Sequence, residues 1–160
     1  MLKNEEIYLK EIIEKYADMV YKLALTRTGT IENAEDVFQD VFIKFAEKMP
    51  EFENTEHEKA WFIRVTINFS KNLKNNNWNK KIVSLSENMI FSAQEETNVF
   101  SSVSELPKNY RTVIYLSYYE GYKVKEIAKI LKKNENTIKT WLSRGRELLK
   151  EKLKGGFENE

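Results

Sequence analysis

Asn136, Lys139, Thr140, Ser143 and Arg144 recur at steps of three and four residues in the last third of the chain. On a helix that spacing puts them on one face, and each can donate a hydrogen bond to a base edge or a phosphate. Arg144 carries the planar fork that suits a bidentate guanine contact, whereas lysines suit the phosphate backbone as compact charges. Arg146, Lys150 and Lys152 continue the positive charge along the same helix. A second polar set, Arg64, Asn68, Lys71, Asn72 and Asn75, follows similar steps upstream, with Trp78, Lys80 and Lys81 just beyond it. Both sets are equipped to bind; neither is equipped to make or break bonds.

Material for reaction chemistry is scarce, because the 160 residues contain one His, no Cys and five Gly. Without cysteine there is no disulfide framework, thiolate metal site or redox switch, and the composition suits a reducing cytoplasm. His57, between Glu56 and Glu58 in a helix first turn, reads as an exposed surface residue and not as a base or ligand. Glu35, Asp36 and Asp40 share part of a helix face but lack a His partner or a glycine-rich loop. They read as a docking surface, so no metal, no cofactor and no enzymatic activity are expected. No run of about eighteen apolar residues occurs, and the start is charged throughout without an apolar core. A soluble, unexported protein without membrane insertion is the expectation.

Hydrophobic periodicity supplies the elements that must position these residues. Ile12, Tyr16, Met19, Val20, Leu23 and Ala24 mark a first helix from about Glu5 to Thr28, stopped by Gly29. Thr30 can cap a second, whose stripe of Ala34, Phe38, Val41, Phe42, Phe45 and Met49 leaves Glu35, Asp36, Gln39, Asp40 and Glu47 on the other side, with Pro50 as terminator. Thr55 to Glu58 reads as a capping box for a third helix, with Trp61, Val65, Phe69 and Leu73 at four-residue intervals. Residues 82–104, rich in Ser, Glu and Asn, read as a flexible linker with some helix at its end. Beyond it, Pro107 opens a buried helix with Val113, Ile114, Leu116 and Tyr118, ended by Gly121. Val124, Ile127, Ala128 and Leu131 define a short helix, and Asn134 caps a long one anchored by Ile138, Leu142 and Leu149. Two helices joined by a tight turn, with small Ala128 at their approach, form a helix-turn-helix pattern that can offer its second helix to a DNA major groove. No strands are needed: the expected fold is all-α, two small helical domains joined by the linker.

The net charge of +1 conceals a separation of sign along the chain. Residues 30 to 60 hold nine acids and three bases, and residues 64 to 81 hold five bases and no acid. Residues 82 to 105 hold four acids and no base, whereas Lys123 to Lys154 hold eleven bases and four acids. The last block can neutralise phosphates despite the neutral total.

Fragments in order along nearly the whole chain resemble the bacterial RNA polymerase sigma factors of the sigma-70 family, in the small extracytoplasmic-function (ECF) group. Asn33 to Phe42 is similar to region 2.2, and Ala60 to Asn68 to regions 2.3 and 2.4. Leu106 to Arg111, Tyr119-Glu120-Gly121, Glu126-Ile127-Ala128, Asn136 to Lys139 and Ser143 to Arg146 are similar to region 4. The resemblance implies a domain over residues 1–81 that binds core polymerase and the downstream promoter element and assists melting. It also implies a helix-turn-helix domain over 105–154 that reads the upstream element, followed by a tail over 155–160.

Through the resemblance, Asp36, Gln39 and Asp40 are implied to dock on the clamp coiled coil of the β′ subunit; contacts with the β subunit are also expected. Arg64, Asn68, Lys71, Asn72, Asn75, Trp78, Lys80 and Lys81 would track the downstream element as a melted strand, with Trp78 as the open stacking platform and Trp61 in the core. Asn136, Thr137, Lys139, Thr140, Ser143, Arg144 and Arg146 would read the upstream duplex. An inhibitory anti-sigma partner is a further implication. Five replacements stand out against the family pattern: Asn72 for an Asp, Asn75 for an Arg, Lys132 for the turn glycine, Lys133 for a usually apolar turn residue, and Trp141 for an Arg. If the turn keeps its geometry, a positive φ at Lys132 costs about 1 kcal/mol. The alternative is a stand-alone helix-turn-helix regulator that works without polymerase; a helical nucleic-acid enzyme lacks a catalytic constellation.

Overall fold

The computed structural model describes residues 3–73, 103 and 105–158, with side chains through Lys154. Six helices occur among them, no strands, and two compact units. The first unit comprises α1 (Lys3–Thr28), α2 (Ile31–Lys48) and α3 (Thr55–Asn72). The second comprises α4 (Lys108–Ile114), a π-helical turn (Tyr115–Tyr119), α5 (Val124–Leu131) and α6 (Glu135–Glu158).

In the first unit the expected stripe of α1, Ile12 through Ala24, is buried, and Gly29 closes the helix at φ 82°, where a Cβ would be strained. α1 and α3 approach closely, whereas α2 joins them chiefly through aromatic side chains. Phe62 is the hub: its ring lies 4.5 Å from Tyr16, 5.3 Å from Phe45 and 5.6 Å from Phe42. Rings of this size hold helix axes apart while burying much apolar area, and tilted pairs add to burial alone. The inward face of α3 is therefore Phe62, Ile63, Val65, Thr66, Ile67 and Ser70, broader than the expected line of Trp61, Val65, Phe69 and Leu73. Of that line Val65 alone is fully buried. Trp61 stays on the flank of the core, edge-on to Phe62 at 4.9 Å and Phe45 at 5.7 Å.

Asn54, not Thr55, caps α3, because its side chain accepts the His57 N–H at 2.8 Å. This frees Glu58 from the expected capping box. Its Oε1 instead accepts the Tyr16 hydroxyl at 2.6 Å and lies 3.0 Å from the Lys15 ammonium, pinning α3 to α1. Replacing Glu58 with Ala removes the acceptor used by a buried phenol and is expected to destabilise the protein by about 1–3 kcal/mol in urea denaturation. A second polar pin lies at the far end of the same pair. Burial pushes the Arg27 guanidinium down to about 10, and its Nε donates to the Ser70 hydroxyl at 2.8 Å.

The core of the second unit gathers Leu106, Val113, Ile114, Tyr115, Leu116, Ile127, Ala128, Ile130, Ile138 and Leu142. Val103, expected at the end of the linker, is buried too, and its carbonyl accepts the Leu106 N–H at 3.0 Å. The rest of the expected linker lies outside the described residues. Gly121 ends the π-helical turn at φ 72°. Tyr118, expected in the core, is exposed instead, because it sits in the last turn before that stop with its hydroxyl at the surface.

α5 and α6 are separated by three residues, Lys132, Lys133 and Asn134. Glu126 accepts the Lys123 N–H at 3.0 Å; a lysine ammonium has no acceptor to return, so half of a capping box is made. Lys132 keeps the left-handed geometry, φ 56° and ψ 46°, and the Lys133 N–H donates to the Ala128 carbonyl at 3.0 Å to close the helix. Lys132→Gly is therefore expected to stabilise the protein by about 1 kcal/mol in the same urea measurement. Asn134 caps α6 as expected, its Oδ1 accepting the Thr137 N–H at 2.7 Å.

Candidate polymerase and nucleic-acid interfaces

Three exposed helix faces collect the residues singled out by type and spacing. On α2 the aromatic stripe turns inward and carries the opposite side outward, so Asp36, Gln39 and Asp40 are all exposed. Ile43 lies two helical turns beyond Asp36 and is 54% exposed, an apolar side chain flanked by Asp36, Gln39, Asp40 and Glu47. It breaks phase with the buried stripe, and that mismatch was the available signal for it. An exposed branched side chain ringed by polar groups has the character of an interface anchor.

On α3 the side chains of Arg64, Asn68, Lys71 and Asn72 fall on one face, Arg64 half-buried and the other three exposed. The Lys44 ammonium of α2 lies 5.6 Å from the Phe69 ring centroid, linking the two helices near this face. Asn75, Trp78, Lys80 and Lys81 lie outside the described residues.

On α6, Asn136, Lys139, Thr140, Ser143 and Arg144 are exposed along one face. Ile138 and Leu142 on the other side are buried, which fixes the helix rotation. Thr137 differs: its hydroxyl donates to Asn134 Oδ1 at 2.8 Å, so it serves the cap. Arg146 is exposed, and its Nε donates to the Tyr118 hydroxyl at 3.1 Å. Gly145 faces α4, where a Cβ would come within 2.7 Å of Ile114 Cδ1 and 3.3 Å of Tyr110 Cβ. The missing side chain is what lets α6 lie this close to α4. His57 is exposed, and its backbone N–H serves the α3 cap. Among the described residues no cluster of His, Cys, Asp and Glu could hold a metal ion, and no helix is long and apolar enough to cross a membrane.

The units thus define an all-helical protein with an acidic, apolar-centred helix face in one part and a basic helix-turn-helix in the other. Comparison with known families gives this class a narrower identity. Residues 12–79 match sigma-70 region 2, and residues 99–149 match sigma-70, region 4. The RNA polymerase sigma factor SigV of Bacillus subtilis is 30% identical, with 83% of each chain covered. The ECF RNA polymerase sigma factor SigW of the same organism is 26% identical over 95% of this chain and 92% of its own. Among solved structures, the sigma factor RpoE in complex with the anti-sigma factor NepR from Bartonella quintana superposes with a TM-score of 0.70 at 24% identity, covering 96% of this chain and 98% of RpoE. CnrH, in complex with the cytosolic domain of CnrY, gives 0.69 at 18% identity, covering 94% and 90%. The chain belongs to the sigma-70 family of RNA polymerase sigma factors, in its ECF group. Its function is to bind core RNA polymerase, direct it to specific promoters and assist DNA melting at initiation. That membership sets aside the stand-alone regulator.

Proposed function

We propose that the three helix faces divide the work of promoter-directed initiation. The α2 face, with Asp36, Gln39 and Asp40 around Ile43, docks on the clamp coiled coil of the β′ subunit, and further contacts reach the β subunit. Acidic groups around an apolar centre suit a partner that offers bases around an apolar patch, since complementary charge steers encounter and a desolvated centre supplies affinity. The α3 face, with Arg64, Asn68, Lys71 and Asn72, holds the downstream element as a melted strand, continued by Asn75, Trp78, Lys80 and Lys81. Cations track its phosphates, and amide side chains hydrogen-bond bases freed from pairing. The α6 face, with Asn136, Lys139, Thr140, Ser143 and Arg144, reads the upstream duplex, while Arg146 contacts the backbone and Thr137 fixes the helix start.

The domains correspond to residues 1–81 and 105–154, joined over 82–104. The buried Val103 supports starting the second domain a few residues earlier. The chain acts in the cytoplasm by binding alone, and the polymerase performs the catalysis. An anti-sigma protein restrains it, a proposal supported by RpoE, which was solved in complex with the anti-sigma factor NepR.

The observation that carries this division is the exposure of all five α6 residues on the face opposite Ile138 and Leu142. The test is selection of promoters from a random-sequence library by core polymerase reconstituted with this chain, followed by run-off transcription. Arg144→Ala is expected to relax selection at one upstream base pair, losing about 1–3 kcal/mol of discrimination there with little change at other positions. A uniform loss at every position would instead assign Arg144 to the backbone.

A further inference from the structure

Arg146 has an unusual partner for an arginine beside DNA-reading residues. Its Nε donates to the Tyr118 hydroxyl at 3.1 Å, and its guanidinium carbon lies 5.5 Å from the Tyr118 ring centroid. Both interactions hold the guanidinium without neutralising it. Arg146 makes no ion pair among the described residues, and Lys152, farther along α6, does pair, with Glu105 at 2.9 Å.

The mount beneath Tyr118 is itself well anchored. The chain widens into a π-helical turn over Tyr115–Tyr119, where the Glu120 N–H donates to the Tyr115 carbonyl at 3.3 Å. Tyr115 is buried, stacks on Tyr119 at 5.5 Å and donates its hydroxyl to Glu120 Oε1 at 3.0 Å. Tyr115 and Glu120 thereby brace the turn that carries Tyr118. Tyr118 stands on this base with 61% of its surface exposed. With Nε taken, the two terminal amino groups of an exposed Arg146 remain for an incoming anion, and a phosphate accepts such a pair side by side.

We propose that Tyr118 is a positioning residue for promoter binding: it holds the uncompensated Arg146 guanidinium ready for one phosphate of the upstream duplex. The inference rests on the assignment of α6 to upstream DNA. Holding the side chain in place reduces the rotamer freedom lost on binding, and leaving its charge intact keeps the full gain from counterion release.

The test uses holoenzyme formed from core polymerase and the full chain, with the promoter duplex enriched by wild type from a random-sequence library. Single phosphates across the upstream half are replaced in turn by neutral methylphosphonate. Wild type is expected to lose about fivefold in affinity at one position in 0.15 M salt, the effect of one lost phosphate contact. Arg146→Met should bind the unmodified duplex about fivefold more weakly and be indifferent to methylphosphonate at that position. Tyr118→Glu, which gives the guanidinium an internal counter-charge, should share that indifference. Tyr118→Phe keeps the ring and loses the hydroxyl bond, so it should weaken binding about threefold with Arg146 present and leave it unchanged in the Arg146→Met background. Equal weakening by Tyr118→Phe in both backgrounds would mark a merely structural tyrosine and overturn the proposal. So would the absence of any phosphate that distinguishes wild type from Arg146→Met, with α6 still reading upstream DNA in either case. If substitutions across α6 leave upstream selection unaltered, the assignment of α6 falls and this inference with it.

Discussion

Reversing two charges on α2, Asp36→Lys together with Asp40→Lys, is expected to weaken association with core RNA polymerase by about 100-fold or more and to abolish promoter-directed transcription. Both side chains are exposed one turn apart, so the substitution changes the potential of the face without touching the aromatic cluster beneath it. Like charges brought together in an interface cost several kcal/mol, of which two reversals need supply only about 3 to reach that factor. Ile43→Ala on the same face should lower affinity with much less dependence on salt, because it removes apolar contact and leaves the charges in place. Co-elution of the variants with core polymerase, with thermal denaturation alongside, separates docking from folding. A doubly reversed protein that folds normally and still co-elutes would remove the α2 face from the docking assignment.

Gly145→Val should disable the second unit from within. A Cβ at this position would already come within 2.7 Å of Ile114 Cδ1 and 3.3 Å of Tyr110 Cβ, and valine adds two methyl groups to it. Ile114 is buried, and although its tip can yield to a single Cβ, two further methyl groups exceed what it can absorb, so α6 must move away from α4. Overpacking of this kind costs about 1–3 kcal/mol and displaces the helix that carries Arg144 and Lys139. The expected readout is a lowered urea midpoint together with loss of upstream promoter selection, while co-elution with core polymerase through α2 persists. Gly145→Ala should give a weaker version of the same phenotype, because the tip of Ile114 can rotate more easily than the Tyr110 Cβ can retreat. A valine variant with unchanged stability and selection would show that α6 tolerates a wider separation from α4.

Elements with a long, one-sided period were legible from the spacing of apolar residues alone. The stripe from Ile12 to Ala24 is buried, and the acids of α2 are exposed, because a helix that must hide one face has no freedom to rotate. Asn134 and the stop glycines Gly29 and Gly121 were legible for a different reason: caps and left-handed positions make local demands on residue type. Where two neighbouring residues could meet the same demand, the spacing misled. Asn54 and Thr55 both suit a cap, and the Asn takes the role, which leaves Glu58 to bind Tyr16 from another helix.

The sequence by itself determined the helices, the alternation of charge and the order of family motifs, since all three are written in nearest neighbours and helical periods. Tertiary structure decided which side of each broad apolar surface became the core. Phe62 became the hub of α3 because Tyr16, Phe42 and Phe45 converge there from two other helices, a fact that no single period contains. It also decided that Gly145 marks a close helix crossing and that Tyr118 belongs with Arg146, 28 residues away along the chain. Contacts between distant segments depend on how the helices pack in three dimensions, and that packing is settled by the summed fit of many side chains.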